Sequence, residues 1–148
     1  MRGRGSIMQT FLPYISFTKS LQCLDNKRLG KQRVEAMQIL NALEPGSTSR
    51  WRNHPAVKMW RGYEGHLSLY HDLAIVEWTR RGFKNNMKPR TSGYPIQFIM
   101  ALLDSKPEWL TDKFCAAHRS NLLRKDPEFY GKYGWKEPND LPYIWPMK

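Results

Sequence analysis

The sequence predicts an all-α protein: a single compact domain of two long helices, followed by shorter C-terminal helices and an aromatic tail. Three observations point there. Apolar residues step by three and four through two long stretches, the spacing that lines one face of a helix. Pro45-Gly46, Pro55 and Gly82 bound those stretches, as helix punctuation does. Nothing alternates convincingly with period two. The 148 residues suit one domain, which buries roughly 70% of its unfolded surface and needs no disulfide or metal staple. An apolar fraction of 41% with six tryptophans supports a real core.

Taken in order, residues 1–7 precede a second methionine, Met8, and lack the apolar core of a signal peptide. They read as an expression scar or an upstream start, and the domain is taken as 8–148. After Thr10-Phe11-Leu12-Pro13-Tyr14, a short helical turn is expected near Thr18. Asp25 caps the first long helix, which runs to about Leu43 and stops at Glu44-Pro45-Gly46. A loop reaches Arg50. The second long helix starts at Asn53-His54-Pro55 and carries Ala56, Trp60, Tyr63, Leu67, Tyr70 and Ala74 on one face. Arg80, Arg81 and Gly82 close it, with bases in the last turn and then glycine. Lys84 to Tyr94 is a polar, basic loop expected to be mobile. Pro95 to Leu103 forms a shorter helix. Thr111 or Asp112 caps another, running to Arg124-Lys125. Asp126-Pro127 opens a last turn, and the tail carries Phe129, Tyr130, Tyr133, Trp135, Tyr143 and Trp145.

Charge narrows the partners. The 24 Lys+Arg exceed the 13 Asp+Glu for a net charge of +11, an excess that suits a polyanion, nucleic acid first. A membrane partner is not expected: no basic amphipathic helix has a broad apolar face. The longest apolar run, Phe98 to Leu103, is far too short to span a bilayer. Two cysteines, Cys23 and Cys115, and no Cys/His cluster of zinc spacing suit a reducing cytoplasm without a metal or other cofactor. A cytoplasmic, nucleoid-associated monomer is expected.

The chemistry concentrates between Leu24 and Glu35. Arg28, Lys31, Gln32, Glu35 and Gln38 fall on or beside one helix face, opposite Leu29, Ala36, Met37, Leu40 and Leu43. One carboxylate among phosphate-binding cations suits an enzyme acting on a nucleic-acid sugar. An ordinary Lys31–Glu35 surface pair, worth a few tenths of a kcal/mol, reads equally well from the helix alone. Three basic-aromatic zones are candidates for DNA contact. Lys27 and Gln32 belong to this helix; Arg52, Asn53 and His54 stand at the next helix's start, a natural phosphate seat. The third holds His118, Arg119, Arg124 and Lys125 with the tail beyond, including Trp145. Phosphate contacts give affinity, while aromatic rings stack on exposed bases. Trp60, Trp78 and Trp109 read as core, and His66 and His71 as structural or solvated. The tail aromatics either pack the C-terminus down or meet DNA.

These residues carry a resemblance. Thr10–Tyr14, Arg28–Glu35, Asn53–Val57 and Leu141–Pro146 resemble signatures of a bacterial branch of the pyrimidine-dimer DNA glycosylase family. More distantly, Glu35 matches the essential glutamate of the family's phage member, and Phe129 to Trp135 resembles its aromatic, lysine-bearing C-terminus. The resemblance implies excision of ultraviolet-induced pyrimidine dimers, or a related damaged base, from double-stranded DNA. It also implies an associated AP lyase step, in which an N-terminal α-amine attacks the sugar C1′ to form an imine and the backbone breaks by β-elimination. An α-amine, with a pKa of roughly 7.7–8.0, is substantially neutral where lysine is not. Thr10 is the nearest counterpart of the phage N-terminal threonine, and Lys31 is a candidate substitute amine. The sequence departs from the phage pattern at Arg28, where that enzyme has histidine, and at Val34 and Gln38, where it has arginines. A non-catalytic DNA- or RNA-binding module on the same fold is the alternative. An enzyme for a phosphorylated small molecule lacks its glycine-rich loop here.

Overall fold

The computed structural model describes residues 8–146 and contains helices but no strand among them. The helices are α1 (Phe17–Gln22), α2 (Asn26–Leu43), α3 (Pro55–Trp60), α4 (Glu64–Arg80), α5 (Ile96–Leu103), α6 (Asp112–Lys125) and α7 (Pro127–Tyr130), with a 3-10 turn at Gly131–Tyr133. The all-α expectation holds. Local chemistry sets the starts: the side chains of Ser16, Asp25, Thr111 and Asp126 each accept a backbone N–H of the helix they open.

The second long helix is two helices. Trp60 and Glu64 are separated by Arg61-Gly62-Tyr63, where Gly62 adopts φ +91°, a conformation that leaves the α-helical region. Periodicity hid this break because both pieces turn apolar residues toward one core: Ala56, Trp60, Leu67, Tyr70 and Ala74 are all fully buried. The loop from Lys84 to Tyr94, expected to be mobile, is anchored. Asp72 accepts the N–H groups of Arg90 and Thr91 at 2.8 and 2.9 Å and the Thr91 hydroxyl at 2.6 Å.

α2 and α4 form the most extensive helix pair. At Gly30 the helices come so close that an added Cβ would stand 3.0 Å from the Trp78 ring. At the same end of the pair Glu77 binds both Arg80 and Arg81, and Arg81 reaches on to the Leu21 and Gln22 carbonyls and Asn26. The aromatic tail packs onto the domain: Trp135 stacks on Tyr130 and Tyr133, and its Nε1–H donates to the Tyr14 hydroxyl at 2.9 Å. Beyond it, Leu141 binds back to α6 through Ser120 and Asn121.

The N-terminal segment threads under α2, held by Gln32. That side chain is 1% exposed. Its Oε1 accepts the Phe11 N–H at 2.8 Å and its Nε2 donates to the Gln9 carbonyl at 2.9 Å. The Tyr70 hydroxyl shares its one proton between Gln32 Oε1, at 2.6 Å, and the Phe11 carbonyl, at 2.8 Å. Replacing Gln32 by leucine strands several buried polar groups, so Gln32→Leu is expected to cost roughly 3 kcal/mol in a urea titration. A loss below about 1 kcal/mol would contradict this account of the segment.

Candidate active site

Glu35 projects from α2 into a cleft of about 180 Å³ lined by Gln9, Phe11, Lys27, Arg28, Lys31, Gln32, Glu35 and Lys125. α2 supplies most of the wall because 27, 28, 31 and 35 recur at helical spacing. The N-terminal segment supplies Gln9 and Phe11, and the last residue of α6 supplies Lys125. A wider cleft of about 390 Å³ opens on the other side of Lys31 and Glu35, bounded by Asn26, Val34, Gln38 and Trp78. The Trp78 faces are taken, one ring stacked on Phe83 at 4.2 Å and the Arg33 guanidinium at 4.3 Å.

The Gln9 backbone N–H donates to Glu35 Oε1 at 3.3 Å. Burial is the strongest influence on Glu35 and raises its pKa above the ordinary 4.5; the Gln9 N–H, Lys31 and Lys125 pull it back without cancelling that. Among the described residues Glu35 forms no ion pair, so the plain Lys31–Glu35 surface pair is not what the structure builds. The arrangement can stabilise a cation, or take a proton, beside an anionic backbone held by Lys27, Arg28 and Lys31.

The remaining candidates lie elsewhere. Thr10 is fully buried behind the cleft, where its Oγ1 accepts Trp60 Nε1–H at 3.0 Å. Gln32 is committed to the N-terminal segment as described. Arg52 is exposed and bonds the Ser49 carbonyl at 2.8 Å, while Asn53 is exposed beside it. His54 Nδ1 caps its own helix by accepting the Ala56 N–H at 3.0 Å, and its ring meets Trp145 edge-on at 6.2 Å. Thus α3's start and the tail form a second basic-aromatic patch. Arg119 binds Glu137 at 2.7 Å and the Pro13 carbonyl at 2.8 Å. Arg124, exposed, binds the Asn139 carbonyl and Asn121.

His118 is a core residue. It is fully buried, and its Nδ1 accepts the Leu12 N–H at 2.9 Å. Sequence reasoning missed Gln9, Phe11 and Tyr70. Tyr70 was legible only as core spacing, and no local signal marks Gln9, whose partner is 26 residues away. Among the described residues no helix is long and apolar enough to cross a membrane, and no His/Cys/Asp/Glu group is arranged to hold a metal ion.

A helical domain that sets one half-buried carboxylate among lysines and an arginine is built to handle an anionic polymer. The family is narrower than that. Residues 8–91 match the profile described as pyrimidine dimer DNA glycosylase, and the chain belongs to that family. The match covers α1 to α4 with Glu35, and Lys125 lies beyond it. No curated protein and no solved structure matches the chain.

Burial holds the His118 ring neutral, with its pKa pushed down to about 3. An unfolded histidine protonates near 6.5, so the fold loses this contribution as pH falls below 6.5, and the loss levels off near 3. In the folded protein the ring is expected to stay neutral at about pH 5 by NMR. A ring titrating near its ordinary value would place it in contact with solvent.

Proposed function

We propose that this protein is a DNA-repair glycosylase with an associated AP lyase step. It acts as a cytoplasmic monomer at the nucleoid, on ultraviolet-induced pyrimidine dimers or a related damaged base in double-stranded DNA. The observation that carries this reading is Glu35, desolvated in a cleft of cations and touched by the N-terminal segment at 3.3 Å. An amine attacks the sugar C1′ and displaces the base, which leaves with a proton. The C1′–O4′ bond then breaks, O4′ takes up the proton released by the amine, and C1′ and nitrogen are left as an iminium ion. Glu35 as carboxylate stabilises that cation, and the iminium acidifies the C2′ proton, which Glu35 assists in removing. Electrons from the C2′–H bond form a C2′=C3′ double bond as the 3′ phosphate leaves. Lys27, Arg28 and Lys31 hold the flanking phosphates, and Arg52, Asn53 and His54 with Trp145 extend the track. A base in damaged DNA costs least to extrude, which favours lesions over intact pairs.

Glu35→Gln removes the charge while keeping the shape. Strand cleavage of irradiated duplex DNA is expected to fall at least about 100-fold, with affinity largely retained. An unchanged nicking rate would leave only a binding module. Because the working form is the carboxylate and burial raises its pKa, activity should rise with pH through a limb centred above 4.5. A limb at or below that value would remove Glu35 from the chemical step. Binding should weaken steeply with salt as phosphate counterions are released.

A further inference from the structure

We propose that Asp25 is a positioning residue for the glycosylase reaction, holding Arg28 so that its guanidinium grips one DNA phosphate in the Glu35 cleft. The inference rests on the reading above, in which Arg28 binds a flanking phosphate, and says how that contact is made. Four cations line the cleft: Lys27, Arg28, Lys31 and Lys125. Among the described residues Arg28 is the one of the four in an ion pair, its Nη1 standing 3.2 Å from Asp25 Oδ1. The guanidinium makes no other hydrogen bond among those residues. Anchored at Nη1, it presents Nε and Nη2 as a fork that matches two oxygens of one phosphate.

An acid and an arginine three residues apart on a helix ordinarily make a loose surface contact. Here the acid is itself fixed. Tyr130, the last residue of α7, is fully buried, and its hydroxyl donates to Asp25 Oδ1 while accepting the Asp25 N–H at 3.1 Å. Asp25 Oδ2 accepts the Arg28 N–H at 3.4 Å as the cap of α2. The Tyr130 ring is held in turn, stacked on Trp135, whose Nε1–H reaches Tyr14. The carboxylate therefore cannot swing away from Arg28 without breaking a buried contact, and the Arg28 and Asp25 side chains are only 21% and 15% exposed.

Position matters more than charge at this point. Three lysines already supply attraction, but a lysine is a point charge on a flexible stem. A held guanidinium fixes where the phosphate sits, and with it the sugar carbon against Glu35. Asp25 also cancels part of the Arg28 charge, so it weakens the general attraction to DNA while it improves the geometry. The two effects have opposite signs, and an experiment can separate them.

The test compares the full chain with Asp25→Asn, Arg28→Ala and the double variant on irradiated duplex DNA. Affinity and the single-turnover nicking rate at saturating protein are read separately, and a thermal melt confirms folding. Asparagine caps a helix as well as aspartate and can still accept the Tyr130 proton, so the fold is kept and one negative charge is lost. The expected Asp25→Asn protein binds at least as tightly as the unaltered one yet nicks at least about tenfold more slowly. In the Arg28→Ala background the same change costs less than about twofold, since the group it positions is gone. Weaker binding, an unchanged rate, or a full loss on top of Arg28→Ala overturns the assignment while the glycosylase reading stands. If the melt shows Asp25→Asn unfolded, Tyr130→Phe takes its place, keeping the ring and removing the proton that fixes Asp25, and the same comparisons decide. No nicking by an unaltered protein that binds the duplex removes the glycosylase reading and this role together.

Discussion

The Gln32 side-chain amide is the joint on which the site depends. It lies inside the domain, satisfied on both ends, and fastens residues 9 and 11 to α2 while Tyr70 of α4 closes the same network. An unpaired amide at that depth is costly, so register along the segment is tightly set. With 9 and 11 fixed, Gln9 presents its N–H to Glu35, Thr10 drops under Trp60, and Leu12 meets His118. One polar side chain thereby ties the chain's start to α2 and α4 and aligns it with α3 and α6.

Electrostatics complete what the packing begins. Burial makes Glu35 a weaker acid than usual, and burial with neighbouring cations makes Lys125 a stronger one. The two shifts run toward each other, because burial disfavours the charged form of an acid and of a base alike. The surrounding positive charge does two jobs, favouring an anionic polymer and opposing the rise that burial causes in the Glu35 pKa.

Much of this was legible in the sequence, and what was hidden follows one pattern. Asp25 and Glu44 bracket α2 as expected, because caps act through neighbours in sequence. Glu35, Lys27, Arg28 and Lys31 share a cleft for the same reason. Lys125 joins them, although only the fold brings α6 to α2. The break at Gly62 escaped notice since apolar spacing continues across it. Gln32 and His118 looked like surface polar groups; their partners lie 21 and 106 residues away, and nothing local distinguishes a buried amide or imidazole from a solvated one. Arg119 reads as free charge until Glu137 and Pro13 come alongside. The tail aromatics had two readings, and packing against Tyr14, Cys23 and α6 settles most of them as structure.

The bond from Leu12 to His118 joins nearly opposite ends of the chain. Contacts so far apart in sequence are slow to form, because the intervening chain must first be brought together. During synthesis α2 and Glu35 leave the ribosome long before α6 exists. A growing chain therefore carries its carboxylate without the surface that encloses it, and the cleft closes only when the protein is nearly finished. The site around Glu35 in this way stays incomplete until nearly the whole domain has been made.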